Sequence, residues 1–289
     1  MLFARLPIAR LAPLCQSAPV RPNLGPATVP KPRLSDHVIL ICGAVVMTGP
    51  MLILLWRLVV GLNPAEIWAV FADLWVNGVS RSSIGASAMM WNSMVLALGI
   101  AILKCALSML AAYALVCFRL RGANILFGAI LLAMFFPIEA RILPTFAVTT
   151  ELGLQNTYAG MILPITASGL GVLVLRRFLL QLPPELMEAA QMDGAGPLRF
   201  LRDVVIPMSL PAMTALFVIL FALGWNQYVW PIMVTTTSQS HDTLVRGMAY
   251  AGLGGRSGLA LAFLALLPPT VLVIVLQRPL VRAMTTGIH

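Results

Sequence analysis

Charged residues are scarce in this sequence. Asp, Glu, Lys and Arg make up 10% of the 289 residues, whereas hydrophobic residues make up 60% and the mean hydropathy is +0.93. Soluble domains carry roughly 25% charged residues, and one core cannot hide this much apolar surface. The composition therefore excludes a water-soluble fold and indicates an integral membrane protein surrounded by lipid.

Acidic residues are the rarer of the two charged classes, at 10 against 19 Lys and Arg, which gives a formal net charge of +9. In a soluble protein such an excess would suggest nucleic acid as a partner. No nucleic-acid-binding motif accompanies the basic residues, and in membrane proteins arginines in loops set the orientation. We therefore expect no nucleic acid partner.

Residue types that hold metals or act as nucleophiles are also few. The sequence has 4 cysteines and 3 histidines, with no CxxC pair and no metal-ligand spacing: Cys15, Cys42, Cys105, Cys117, His37, His241 and His289. It contains no Ser/His/Asp arrangement and no GxxxxGK(S/T) phosphate loop. We predict no catalytic residue, no metal site and no cofactor in this chain, which cannot use ATP by itself.

Long apolar runs are what the sequence does contain. They lie at about 37–59, 90–117, 123–147, 158–180, 205–234 and 258–277. Each is long enough to span a bilayer as a helix, and too long and continuous for a strand of a membrane barrel. The sequence therefore predicts an all-α integral membrane fold with six transmembrane helices. We find no internal repeat of the kind that builds a carrier from one chain.

The distribution of basic residues predicts the orientation. Residues 1–36 are rich in Pro, Ala and Arg, and Arg10 interrupts their one apolar run, which disfavours a signal peptide. Other basic residues follow the second, fourth and sixth runs. By the positive-inside rule both termini are cytoplasmic. We expect 1–36 to be a mobile basic cytoplasmic tail and 37–285 to be the transmembrane domain.

One charged insert, 182–204, separates the fourth and fifth runs. Pro184 suits the first turn of a helix, and ELMEAAQMD consists of good helix formers. Gly194 is placed to end that helix in left-handed geometry, and Gly196-Pro197 begins another helix that leads into the fifth run. The residues alone fit two interpretations equally: a docking helix in the cytoplasm, or a connector lying on the membrane.

The insert carries a spacing that resembles the cytoplasmic signature of bacterial ABC importer permeases. That signature is E-A-A, three residues, Gly, nine residues, then hydrophobic-x-hydrophobic-Pro. It is matched here by Glu188, Ala189, Ala190, Gly194, Val204, Ile206 and Pro207. The resemblance implies the type I permease fold and a coupling helix that docks in a groove of a separate ATPase subunit.

The resemblance also implies residue roles and partners. Glu188 would contact the ATPase electrostatically, Ala189 and Ala190 would permit close approach, and Gly194 would make the turn. Asp193 and Pro207 complete the expected ATPase-coupling residues. The partners would be a second, homologous permease chain, two ATPase subunits that bind ATP and Mg, and a periplasmic substrate-binding protein facing the outer loops 60–88 and 235–257. The location would be the bacterial inner membrane.

Three further stretches, LWVNGVS, PIEARILPTF and GWNQYVWP, resemble the second permease subunit of carbohydrate-type importers, in particular that of the sn-glycerol-3-phosphate importer. The implied substrate is sn-glycerol-3-phosphate or a glycerophosphodiester. A neutral-sugar importer of maltose type is the alternative. An autonomous ion-coupled carrier would need an inverted repeat or a charged relay, and the sequence has neither.

Three charged residues fall inside the runs and away from their ends: Lys104, Glu139 and Arg141. Each costs roughly 2.5–3.5 kcal/mol at a helix centre, so each requires a role. Arg141 suits a phosphate, but an internal ion pair explains it as well. For Lys104 we expect a structural partner. Pro137 and Pro144 bracket the pair at 139 and 141 and indicate an irregular helix.

The fifth run supplies a second polar cluster, Trp225, Asn226 and Gln227, at a depth similar to that of Glu139 and Arg141. Amides and aromatic faces suit a polyol, so we assign these five residues to a candidate substrate pathway. For Trp230 we favour the alternative that it belongs to an interfacial aromatic belt.

Overall fold

The computed structural model of the protein describes residues 34–79, 82–118, 120–236, 239–252 and 254–285. Within these ranges all regular secondary structure is helical, which confirms the all-α prediction. The helices are α1 (Leu34–Val59), α2 (Pro64–Asn77), α3 (Ala86–Cys117), α4 (Ala123–Met134), α5 (Ile138–Glu151), α6 (Tyr158–Ile162), α7 (Gly169–Leu179), α8 (Pro184–Met192), α9 (Pro197–Phe200), α10 (Ile206–Trp225), α11 (Val229–Val234), α12 (Leu244–Ala251) and α13 (Arg256–Thr285).

The chain divides into two units between Pro50 and Met51. The described part of the first unit is the first portion of α1, and the second unit contains every other described element. The predicted tail, 1–36, lies outside the described residues apart from 34–36, which begin α1. Its boundary stays a prediction.

Four helices are long and apolar enough to cross a membrane: His37–Val59, Ala86–Cys117, Pro197–Trp225 and Arg256–Gln277. The pair Tyr158–Ile165 and Gly169–Leu179, which is bent by 53°, makes a fifth crossing if the two helices are counted as one broken span. These five agree with the first, second, fourth, fifth and sixth apolar runs of the sequence.

The third run is not one continuous helix, so its prediction as a single helix over 123–147 is wrong. α4 ends at Met134 and α5 begins at Ile138, with Pro137 in extended backbone (ψ 137°) between them. Proline lacks an N–H and disfavours helical geometry at the residue before it, which explains the break. Pro144 lies inside α5 without ending it.

Helix α3 is the centre of the described bundle and packs most extensively against α10 and α7. These contacts depend on small residues. A Cβ on Gly224 of α10 would lie 3.1 Å from the Ala97 Cα, and a Cβ on Gly171 of α7 would collide with the Ser108 hydroxyl. Small residues of this kind let helix backbones approach closely in membrane proteins.

The predicted helix that leads from Gly196-Pro197 into the fifth run is confirmed. α9 continues through one π-helical turn, Leu201–Val205, into α10. Pro207 lies two residues beyond that turn, and its missing N–H removes one α-type hydrogen bond there. The second helix of the insert and the fifth span therefore form one continuous rod.

Candidate functional site

The turn of the insert has a defined hydrogen-bond pattern. Gly194 has φ +69°, in the left-handed region. Its N–H donates to the Gln191 carbonyl (3.0 Å), and the Ala195 N–H donates to the Ala190 carbonyl (2.9 Å). These two bonds form a Schellman motif, which satisfies the last carbonyls of α8. The left-handed stop predicted at Gly194 is confirmed.

The second helix of the insert is fixed to the end of α3. The Tyr113 hydroxyl donates to the Pro197 carbonyl at 2.9 Å. The rings of Tyr113 and Phe200 lie 6.4 Å apart, and Phe200 is buried. The base of the insert is therefore attached to the span that forms the centre of the bundle.

Helix α8 has an inner and an outer face. Met187 and Ala190 are partly buried and pack against the core of their own chain, and Leu186 is half-buried. The apolar face of α8, formed by Leu186, Met187 and Ala190, is therefore turned largely toward this chain. Ala190, which the resemblance assigns to the docking contact, is available only in part.

The outer face of the insert is open. Glu188, Ala189 and Asp193 are exposed, and two large apolar side chains lie beside them, Met192 at 85% exposure and Leu198 at 79%. An acidic rim with exposed apolar side chains is the composition of a surface that meets another protein. Pro207 is exposed in the first turn of α10, beyond the insert itself.

The ionisable side chains at membrane depth come from two helices. Arg141 is exposed in the first turn of α5, and Lys104 is half-buried on α3, within Coulombic range of Arg141. Among the residues that the structure describes, neither cation forms an ion pair, so the structural partner predicted for Lys104 is not found there. The side chain of Glu139 lies outside the described atoms.

The structure corrects the assignment of Trp225 to the substrate pathway. Its side chain is 3% exposed, and its ring stacks on Phe221 with centroids 5.8 Å apart. Its indole N–H donates to the Ala265 carbonyl of α13 at 3.0 Å. Because the last turn of α10 faces α13, Trp225 is a core residue.

Asn226 and Gln227 lie where α10 ends. Asn226 is exposed and Gln227 half-buried, and their amides donate to the carbonyls of Ala222 (2.9 Å) and Leu223 (3.4 Å). Both side chains therefore cap the helix while remaining accessible, which leaves their pathway role a prediction.

The belt assignment of Trp230 is wrong. Trp230 is buried, and its indole N–H donates to the Met161 carbonyl at 3.1 Å. The position next to Tyr228, at the end of a span, suggested a membrane interface. The contact with α6 is long-range and left no local signal in the sequence.

A polar network that was not predicted from the sequence lies at the end of the bundle away from the insert, called here the far end. Arg246 forms an ion pair with the Asp242 carboxylate (3.0 Å) and donates hydrogen bonds to the Thr235 hydroxyl (2.7 Å) and the Tyr250 hydroxyl (2.6 Å). The Asn92 amide of α3 donates to the carbonyls of Ser240 (2.8 Å) and Asp242 (2.9 Å).

The Asp242 side chain is fully buried. Burial raises the pKa of Asp242 above its ordinary value, and the neighbouring Arg246 lowers that pKa only in part. A signal was present in the sequence, because Asp242 is the one acidic residue after Asp203 and precedes Arg246 by four positions.

Comparison with known proteins supports a transport function. Residues 106–286 match the family described as binding-protein-dependent transport system inner membrane component. The chain is 42% identical over 217 residues to the sn-glycerol-3-phosphate transport system permease protein of Shigella flexneri serotype 5b (strain 8401), covering 73% of this chain and 77% of that protein. It is 37% identical over 267 residues to the protein of the same description from Escherichia coli O1:K1 / APEC, covering 86% and 94%.

A solved structure, that of a bacterial ABC transporter involved in the import of the acidic polysaccharide alginate, has a similar fold. One of its chains matches with a TM-score of 0.58 and 20% identity, covering 86% of this chain and 99% of that chain. The likeness concerns the fold and agrees with the expected permease fold. With the family match over residues 106–286 and relatives of up to 42% identity, the chain belongs to the family of inner membrane components of binding-protein-dependent transport systems.

Proposed function

We propose that this chain is a translocation-pore subunit of an ATP-driven importer that moves sn-glycerol-3-phosphate, or glycerophosphodiesters, into the cytoplasm by alternating access. The observation that carries this proposal is the 37% identity, over 86% of the chain, to a permease protein described for that substrate. A neutral sugar of maltose type is the alternative substrate. The chain itself catalyses no reaction in this proposal.

The energy would enter through the insert. The exposed outer face of α8, with Glu188, Ala189 and Asp193, suits docking on an ATPase subunit. Two such subunits would bind ATP and Mg, because this sequence has no phosphate loop of its own. A second, homologous permease chain and a periplasmic binding protein would complete the assembly.

The route of mechanical coupling follows from the attachment of the insert. α9 is continuous with α10, and the hydrogen bond from Tyr113 to the Pro197 carbonyl ties the same segment to α3. A force on α8 would pass through the Gly194 turn to both spans. When ATP closes the ATPase pair, α3 and α10 would tilt together and open the pathway to the other side.

The insert would lie in the cytoplasm, together with both termini. The exposed basic residues around it, Arg177, Arg199 and Arg202, support this orientation. The far end, with the network of Asp242 and Arg246, would then face the periplasm and the binding protein.

The substrate class is supported by the two cations at membrane depth. A phosphate monoester carries about −1.5 to −2 charge near neutral pH. Arg141 supplies a forked donor that matches phosphate oxygens, and Lys104 supplies a second positive charge within Coulombic range. Among the described side chains neither cation has an ion-pair partner, and a neutral sugar would not supply a counterion for charges that are costly inside a membrane.

The test of the importer is ATPase activity of the whole purified assembly in lipid, with its binding protein present. We expect stimulation by sn-glycerol-3-phosphate and none by maltose. Stimulation by maltose alone would keep the importer and reject the phosphoester. Activity of this chain in transport without any partner would reject the importer itself.

The test of the two cations uses the same assay. Removing a charged hydrogen-bond partner costs about 1.5–3 kcal/mol, which corresponds to about tenfold or more in affinity. We therefore expect Arg141→Gln and Lys104→Gln each to raise the sn-glycerol-3-phosphate concentration needed for half-maximal stimulation by about tenfold. Arg57→Gln, at the exposed end of α1, is the matched control. An unchanged half-maximal concentration in both variants would leave the cations without a substrate role.

A further inference from the structure

The exposed tryptophans of this chain are all found in one region. The sequence has 6 tryptophans. Two of them, Trp225 and Trp230, are buried. The other four are exposed and lie between the last turns of α1 and the second turn of α3: Trp56, Trp68, Trp75 and Trp91. Exposed tryptophans grouped at one level are typical of a membrane–water interface.

Helix α2, which carries Trp68 and Trp75, lies between two spans at their far ends. The first span ends at Val59, α2 begins at Pro64, and the next span begins at Ala86. The Ser87 hydroxyl of α3 donates to the Trp75 carbonyl at 2.9 Å, which fixes the end of α2 beside the start of α3. With 14 residues, α2 is about 21 Å long, too short to cross a bilayer core of about 30 Å.

One side of α2 packs on its own chain. Leu74 is buried, and Val70 and Phe71 are partly buried against the core. α2 packs against α3 and α13, whose outer faces expose apolar side chains such as Ile102 and Leu267 along their spans. The surface of α2 is therefore continuous with the lipid-facing surface of the bundle.

The rest of α2 divides into an apolar and a polar side. Trp68, at 75% exposure, and Trp75 lie on one line of the helix, seven residues apart. Glu66 and Asp73 lie about 200° around the helix from Trp68 and Trp75 respectively, at 100° per residue. The aromatic side and the acidic side are therefore opposite each other, and the protein-facing side lies between them.

The two acidic side chains of α2 are exposed and accept hydrogen bonds from groups of the same helix or its cap. The Glu66 carboxylate accepts from the Asn63 N–H (2.9 Å), and the Asp73 carboxylate accepts from the Asn77 amide (2.7 Å). The sequence of α2, PAEIWAVFADLWVN, contains no Lys or Arg. Any attachment of this helix to lipid therefore depends on apolar and aromatic burial, with no contribution from attraction to anionic headgroups.

We propose that α2 is an interfacial helix that lies along the membrane surface at the far end, with Trp68 and Trp75 in the headgroup boundary and Glu66 and Asp73 toward water. The partner is the lipid surface, and zwitterionic lipid is sufficient. Its role is to hold the far ends of α1 and α3 at a fixed depth while the spans tilt.

The test uses the whole assembly in phosphatidylcholine vesicles that contain brominated lipid, which quenches tryptophan on contact. The fluorescence due to α2 is obtained as wild type minus the double variant Trp68→Phe/Trp75→Phe, so that tryptophans of other subunits cancel. We expect a larger fractional loss with bromines near the headgroup than with bromines near the chain ends. We expect the same loss when phosphatidylglycerol is added.

Four other results would overturn the proposal. Quenching by aqueous iodide but not by lipid would place α2 in water. Quenching by neither would show that another protein subunit covers it. Greater quenching by the deep bromines, or quenching only with anionic lipid, would reject the interfacial depth or its aromatic basis. Trp91→Phe, analysed in the same way, serves as a single-site check that the difference method detects an exposed tryptophan near the end of a span.

Discussion

The two ends of this molecule handle polar groups in opposite ways. At the far end, Arg246 bonds to side chains from three different segments, and Asp242 is fully buried. At the insert, Glu188, Ala189 and Asp193 are exposed, and the ion pair of Arg199 with Asp203 is long (3.6 Å) and largely in solvent. Buried polar contacts that join several segments hold a region in place, whereas exposed charges cost little to keep in water and remain available to a partner.

At the far end the polar groups find their partners within this chain, whereas the outer face of the insert remains free to contact another protein. The far end joins α3, α11 and α12 through side chains of the same chain. The insert is held by one turn motif, by the hydrogen bond of Tyr113 to the Pro197 carbonyl and by apolar packing of its inner face, and its outer face is left exposed. Substitutions at the far end should therefore affect folding, and substitutions on the outer face of the insert should affect coupling.

The largest effect is expected at the insert. Glu188→Lys reverses the charge of the exposed face of α8, and like charges across an interface cost several kcal/mol. We expect uptake to be abolished while the chain stays in the membrane in normal amount, measured by substrate uptake and by quantification of the membrane fraction. Glu151→Lys, an exposed glutamate at the end of α5, is the control. Normal uptake by Glu188→Lys would contradict the docking role.

The next effect is on folding at the far end. Arg246→Gln leaves the buried Asp242 carboxylate without its cation, and such a change costs about 3–5 kcal/mol. We expect a clearly lower thermal unfolding temperature in detergent, with Arg256→Gln, at an exposed arginine, unchanged. The double variant Asp242→Asn/Arg246→Gln should recover most of the loss. A single variant as stable as the wild type would show that the pair contributes nothing.

A smaller effect is expected when two glycines of the insert, Gly194 and Gly196, are each replaced by alanine. Gly194 has φ +69° with no atom near an added Cβ, whereas Gly196 has ordinary backbone and equally open space. An alanine in the left-handed region costs roughly 1–2 kcal/mol. We expect Gly194→Ala to increase hydrogen exchange at the end of α8 and to weaken coupling of ATP hydrolysis to uptake, and Gly196→Ala to do neither. Equal effects of the two variants would reject the turn argument.

The smallest effect is a pH dependence at the far end. Because burial raises the pKa of Asp242, the native state holds this proton more tightly than the unfolded chain does. Its contribution to stability is fully present below the ordinary pKa of 3.8 and is lost as the pH rises through the higher native pKa. Relative to Asp242→Asn, the wild type should lose stability across that window in thermal unfolding series. A relative gain would mean that attraction to Arg246 outweighs burial.

The sequence predicted the features that are encoded locally. The long apolar runs, the stop at Gly194 and the entry at Gly196-Pro197 each depend on a few adjacent residues, and all three are present. The break at Pro137 also had a local signal, because proline disfavours helical geometry at the residue before it. From that signal we predicted an irregular helix and not a break. α2 also had a local signal, since Asn63 with Pro64 and Glu66 forms a capping box, and no helix was predicted there.

What could not be predicted depends on distant segments. Trp225 and Trp230 are buried because α13 and α6 lie against them, through contacts 40 and 69 residues apart in sequence. The burial of Asp242 depends on Asn92, 150 positions earlier. A single sequence shows that these residues are polar or aromatic at the end of a run, and it does not show which neighbour covers them.

The π turn at Leu201–Val205 sets the rotation of the insert about the axis of the fifth span. A π turn holds one residue more than an α turn, so it rotates everything before it by about 100° relative to everything after it. Deleting one residue there would keep the rod and turn the docking face away from its present direction. Chimeric permeases that exchange inserts must therefore match residue count through this turn, because the sequence of α8 alone does not determine where its face points.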